Sequence, residues 1–438
     1  MPGVKQYSGS GSKMRKNYDY IIVGAGLCGL VLARELSEKN KKVLILEKGG
    51  FVNGLGTVFH APFFYDKWAL SASKQGLAVY RFIGVGGTSV VSCGNAIEFT
   101  DEEYNRIGID FKGYLSEAKR DASVKDDGLP IGPASARITE VANMLGHDMR
   151  PMPKFSLKDR CPSCGNCALG CRYESKWTSR ERLKGIDKES VELITGFHTN
   201  KILKKDGSVI GVEGRSGISG RRQFLAPIVI LSAGGIGTPI ILQNSGIDSG
   251  DNLFVDIFNV TYGISEDYNQ RNELSMSSVC DKYHKSDGFV IAPFVDSFAA
   301  FIPGVNFRHM LNAFKIGKMM GIMTKIADES TGRVYSNGTI DKSPTVSDLN
   351  KLNKGSKIAA DILIKCGVDP KSIFVGKPRG AHPGGTAGIG RVVDNKLETR
   401  IKNLYVCDAS VLPFAPGLPP MLSLIAMTKW FGKKVLEK

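Results

Sequence analysis

Four cysteines fall within eleven residues, as Cys161-Pro-Ser-Cys164-Gly-Asn-Cys167-Ala-Leu-Gly-Cys171. The C-x2-C-x2-C-x3-C spacing is that of bacterial ferredoxin cluster loops. Gly165 and Gly170 let such a loop wrap and turn its amides toward an anionic centre. Structural zinc is the bland alternative, but its paired C-x2-C knuckles usually lie a dozen or more residues apart. Thiol redox chemistry is a third reading. An iron-sulfur cluster is the expectation, with a 4Fe-4S centre on Cys161, Cys164, Cys167 and Cys171 preferred. A 3Fe-4S centre on three of them stays open, because in two-cluster ferredoxins the fourth cysteine serves the other cluster. The remaining cysteines, Cys28, Cys93, Cys280, Cys366 and Cys407, read as small buried hydrophobes.

A second signature is Gly24-Ala-Gly26-Leu-Cys-Gly29, directly after the apolar run Tyr20-Ile-Ile-Val23. Strand, glycine turn and helix in that order bind a dinucleotide. Gly24 permits the turn, Gly26 admits a pyrophosphate to the helix N-terminus, and Gly29 lets helix and strand pack closely. Glu47 closes a second strand, eighteen residues past Gly29, where a carboxylate can reach ribose hydroxyls. By itself this fits FAD or NAD. The third group is histidine, of which there are six. Imidazole suits proton removal from a hydroxyl while a hydride leaves carbon, because its pKa lies near neutrality.

These groups sit in 438 residues, enough for one large core or two to three domains, with 42% hydrophobic and 23% charged residues. Residues 1–16 read as a flexible tail. Nine cysteines, four of them clustered, suggest a reducing compartment, and no apolar run reaches membrane-spanning length, so the expected location is cytoplasmic without a membrane span. The formal charge of +15 is spread along the chain without a nucleic-acid signature, so no nucleic-acid partner is expected. A solvated basic surface, or one that steers an acidic redox carrier, explains it equally.

Segments near Val191, Val209 and Ile228 read as strands forming a small antiparallel excursion between residues 190 and 233 that returns to a main parallel sheet. The expected fold is α/β. A Rossmann-type FAD-binding unit takes residues 17–110, 190–248 and 383–438, and a substrate unit with antiparallel sheet and helices takes 249–382. A cysteine-rich segment spans 150–182. Phe301, Phe307, Met310, Phe314, Met319 and Met320 are expected to be core, as is Trp177.

Five blocks in order resemble the glucose-methanol-choline (GMC) oxidoreductase family. They are Gly24 to Gly29; Gly84-Val-Gly86-Gly87-Thr88-Ser89; Ala233-Gly234-Gly235 on to Ser245-Gly246; His382-Pro-Gly-Gly-Thr386; and Asp408-Ala409-Ser410 followed by Gly417-Leu-Pro419-Pro420. The resemblance implies FAD rather than NAD, with Ala233, Asp408, Ala409 and Pro419 among the contacts and His382 as base or oxyanion stabiliser. Some members attach flavin through a histidine where this chain has Val91, so the FAD is expected to be non-covalent, with Ser92 and Asn95 near the flavin ring. The helix after Pro419 and Pro420 would aim its N-terminus at the flavin. The family commonly has Asn or His where this chain has Leu418, so a second polar partner is missing or comes from elsewhere.

The resulting expectation is an alcohol or polyol dehydrogenase passing electrons from flavin through the cluster to an acceptor protein or quinone. The alternatives are an electron-transfer subunit without its own organic substrate, and a non-redox lyase of the same family.

Overall fold

The computed structural model describes residues 17–57, 66, 72–126, 130–156, 160–187, 189–217 and 220–437. The 1–16 tail and His60 lie outside them. The first sheet is parallel throughout, in the order 404–406, 228–231, 20–23, 43–46, 191–194. Its strands are short runs of Ile, Val and Leu such as Tyr20–Val23 and Val43–Leu46, buried on both faces. Each fully buried Leu or Ile contributes roughly 1.5–3 kcal/mol, and Ile21, Ile22, Leu44 and Ile45 are all fully buried.

Val191–Ile194 belongs to this parallel sheet rather than to the antiparallel excursion expected of it. The excursion is instead the three-stranded sheet Phe197–Lys205, Ser208–Ser216 and Gly220–Leu225, after which Ile228–Leu231 rejoins the centre. Helix Leu27–Ser37 packs on helix Met421–Leu436 against the parallel sheet. The fully buried end of Lys429 fastens the two helices to a third. Its ammonium lies 2.5 Å from Glu35, 2.7 Å from Asp121 and 2.9 Å from Glu117. Burial works against that charge, but the three carboxylates outweigh it and hold the ammonium above its usual range.

The second sheet has strands Phe289–Pro293, Met319–Ile326 and Ile257–Ile264 running antiparallel, with Arg379–Gly380 and Phe374–Val375 added on Ile257–Ile264. Helix Val346–Lys365 lies on Met319–Ile326. Thr345 and Asp348 box its N-terminus, each side chain accepting from the other's backbone amide. Ala78–Val79, inside the span expected for the cofactor unit, pairs with Arg379–Gly380 and so joins this second sheet. Two residues are too few to carry a readable period. Among the described residues no helix is long and apolar enough to cross a membrane.

Candidate functional site

Three helices begin at one elongated cavity between the two sheets. Gly26 and Leu27 start the first, Ala233 to Gly235 the second, and Pro420 and Met421 the third, and all of these line the cavity. Each N-terminus points a positive dipole end at the cavity, which suits an anionic ligand. Gly24, Gly26, Glu47, Gly87, Thr88, Ser89, Ser92, Asn95, Ala233, His382, Asp408, Ala409 and Pro419 line it as well. Gly29 and Gly86 do not, and act on shape. A Cβ on Gly29 would lie 2.0 Å from the Gly24 carbonyl oxygen, so only glycine lets the helix meet the strand. Gly86 has φ +98°, and a Cβ there would strike Val90 at 2.5 Å.

Several of the polar side chains are already engaged. Glu47 accepts from the amides of Ala25 (2.8 Å) and Gly49 (2.7 Å), and burial pushes its carboxyl up. Asp408 accepts from the Gly234 amide and the Thr238 hydroxyl, which fixes the start of helix Gly234–Asn244. The Ser89 hydroxyl donates to the Gly86 carbonyl at 2.6 Å and lies 3.0 Å from Ser179, so it braces the glycine turn. The Ser92 hydroxyl donates to the Ser89 carbonyl, and Asn95 joins the Lys154 ammonium to the Met276 sulfur. Pro419 and Pro420 stand just ahead of the last helix rather than in its first turn.

His382 sits at the substrate end. Its side chain is 26% exposed, and its Nδ1 lies 3.0 Å from Asp256 Oδ2. That carboxylate accepts a hydrogen bond from Nδ1–H, which favours the tautomer with Nε2 unprotonated. Asp256 is fully buried, accepts from Lys325 at 2.8 Å and receives the Gly417 amide at 3.1 Å. Burial alone would raise its pKa, but Lys325 and His382 together hold it below the usual carboxylate range. His382 is pushed down by burial first and by Lys325 second, with Asp256 opposing both. The imidazole is thus neutral and basic at neutral pH.

Lys325 and Asp256 were not apparent from sequence. Lys325, on strand Met319–Ile326, also lines the cavity, whereas Leu418 does not. Leu418 is buried and faces a separate surface cleft lined by Glu98, Lys119, Arg150 and Asp281, whose charges pair with one another. The only signal for Lys325 was a lone charge in an otherwise apolar run. Phe258, Phe294 and Met323 supply apolar wall. Behind them Arg379 grips Asp296 through both Nη atoms, at 3.2 and 2.8 Å, while the Tyr262 hydroxyl donates to the same carboxylate.

The cysteine loop forms another wall of the same cavity, through Ala168 and Leu169. Cys161, Cys164, Cys167 and Cys171 are free and half-buried, and the Ser175 amide donates to Cys171 Sγ at 3.3 Å. Gly165 and Gly170 both have positive φ, +71° and +87°. Two buried lysines lie between this loop and the glycine turn. Lys176 donates to the carbonyls of Ser92 (2.5 Å), Val90 (2.9 Å) and Cys167 (3.2 Å). Lys154 donates to Asn95 (2.6 Å) and to the carbonyls of Ser275 and Cys93. Neither pairs with a carboxylate among the described residues, and burial pushes Lys154 down to about 8. Just beyond, Trp177 is core, tilted on Phe155 at 5.7 Å, and its Nε1 and the Ser175 hydroxyl lack partners.

Two buried lysines without a carboxylate near the cysteine loop, with the Ser175 amide donating to Cys171, fit an anionic metal-sulfur group. Among the described residues, the set of three ligand atoms within 4.8 Å of one another is Glu35, Glu117 and Asp121, which the Lys429 ammonium fills. No three of the four thiols lie within 4.8 Å of one another.

Comparison with known proteins agrees with this architecture. Residues 18–258 and 329–428 match the N- and C-terminal family models described as GMC oxidoreductase. An uncharacterized protein of Methanocaldococcus jannaschii is 32% identical over 96% of this chain and 100% of its own length. A long-chain-alcohol oxidase of Arabidopsis thaliana is 22% identical, over 96% of this chain and 67% of its own. Among solved structures, pyridoxine 4-oxidase from Mesorbium loti superposes with a TM-score of 0.74 at 16% identity, over 96% of this chain and 100% of that one.

Proposed function

This chain belongs to the GMC oxidoreductase family, and within it we propose an FAD-dependent dehydrogenase that oxidises an alcohol and delivers the electrons through an iron-sulfur cluster to an acceptor other than oxygen. The observation that carries the cluster reading is the pair Lys154 and Lys176, buried without a carboxylate beside Cys161, Cys164, Cys167 and Cys171. The three helix N-termini and the glycine turns would hold FAD, and the four cysteines a cluster, which when bound would supply a two-electron acceptor and a one-electron relay toward a carrier protein or quinone.

The chain's own part is proton management and exclusion of water. Neutral His382 takes the substrate hydroxyl proton at Nε2, while Asp256 keeps Nδ1 protonated and the ring in place. The imidazolium so formed is stabilised by that buried carboxylate. Lys325 faces the same space and favours the negative charge that develops on the substrate oxygen. Phe258, Phe294 and Met323 keep this end apolar, which strengthens both interactions.

Anaerobic purification followed by iron, acid-labile sulfide and FAD assays tests the reading. Iron and sulfide with FAD in fixed ratio support it, and a panel of alcohols should then bleach the flavin spectrum. FAD with zinc or no metal would overturn the relay and leave an oxidase or lyase. A cluster-bearing protein that no alcohol reduces would favour the electron-transfer subunit.

A further inference from the structure

The segment Phe307–Lys318 runs as 3-10 turns held to the body by buried Ala313 and Ile316. Phe307 (88% exposed), Leu311 (75%) and Phe314 (83%) are exposed on it, although Phe307 and Phe314 were expected to be core. Arg308, Lys315 and Lys318 are exposed beside them, and no acidic residue occurs from Ser297 to Lys318. Lys318 pairs with Glu266, while Arg308 and Lys315 have no acidic partner among the described residues. Side chains this apolar and this exposed mark an interaction surface.

We propose that this segment docks the protein on an anionic lipid surface, with Phe307, Leu311 and Phe314 in the headgroup and acyl boundary and Arg308 and Lys315 against acidic headgroups. The three exposed apolar side chains fall within eight residues of one segment, interleaved with its basic residues, which suits an interfacial anchor. A basic segment with aromatic and Leu tips on a chain of net charge +15 complements acidic lipid. Ala300 and Pro303, a few residues upstream, line the site cavity, so the docked face adjoins the substrate end. That last point rests on the proposed dehydrogenase reading, but docking itself does not.

The test is sedimentation of the flavin-loaded full chain with vesicles of phosphatidylglycerol and phosphatidylcholine in equal parts, against phosphatidylcholine alone. Binding to the acidic vesicles is expected, and F307S/L311S/F314S should weaken it by about a hundredfold or more, at unchanged flavin content and melting temperature. R308Q/K315Q should weaken it by roughly thirtyfold on acidic vesicles. Absence of binding by the parent chain, or equal binding by the triple serine variant, would overturn the proposal. So would a dimer that the triple variant splits in the absence of any vesicle binding, which would make this face a contact between copies. Metal and flavin assays are unaffected by either result, so failure here is distinct from failure of the dehydrogenase reading.

Discussion

Lys325, which lines the cavity, and the pair Lys154 and Lys176 beside the cysteine loop are all buried lysines, yet they are balanced in different ways. Lys325 has Asp256 at 2.8 Å, and that carboxylate is shared with His382. Among the described residues, Lys154 and Lys176 have only carbonyls and one amide oxygen. A buried charge without a counter-charge is strongly unfavourable. The first centre holds its counter-charge within the chain, whereas on the proposed reading the second is completed by an anionic cluster.

The largest way to break this contrast is at the completed centre. His382→Ala should lower turnover about 10²–10⁴-fold while bound FAD is retained, as steady-state rates and the visible spectrum will show. Equal turnover would remove His382 from the reaction. The unbalanced centre gives a change of sign instead. Lys154→Met in metal-free protein should raise stability by about 1–4 kcal/mol, because an unpaired buried ammonium is replaced by an apolar chain of similar length. In iron-loaded protein the same variant should lose stability and hold less iron, read by melting curves and iron assay side by side. The same sign in both states would contradict an anionic occupant.

A finer probe is pH. His382 has its pKa depressed below 6.5, so its neutral, proton-accepting form persists as pH falls past that value, and turnover is lost only at lower pH. Lys325→Met removes a cation that depresses it, so the acidic limb of kcat/KM should move to higher pH. The smallest effect is expected at Leu418, which faces away from the cavity. Leu418→Ala should change kcat/KM by less than about threefold even though it destabilises the core by about 2–4 kcal/mol.

The contrast also separates what could be read in the chain from what could not. The dinucleotide fingerprint was legible because strand, turn and helix are contiguous, and Gly29 does the packing its position implies. Lys325, Asp256 and His382 meet from three distant stretches brought together by the second sheet, so no local spacing announces them. The strand Val191–Ile194 was misplaced because four residues show no difference between a parallel and an antiparallel partner. Phe307 and Phe314 were read as core from residue type, whereas their exposure depends on the fold of the whole segment.

The order of the parallel sheet bears on how the protein comes into being. Its central strand is Tyr20–Val23, flanked by Ile228–Leu231, whose outer neighbour is Leu404–Val406. On a ribosome that emits roughly 5–20 residues each second, the first strand must wait tens of seconds for its last neighbours. The helix that follows, whose Lys429 gathers Glu35, Glu117 and Asp121, emerges later still. During that interval the glycine turn and its apolar strand are exposed on a nascent chain, a natural substrate for chaperones. A stop codon just before residue 404 would remove the edge strand Leu404–Val406 and the helix Met421–Leu436 that closes one end of the cofactor cavity, while leaving the other four strands in the chain.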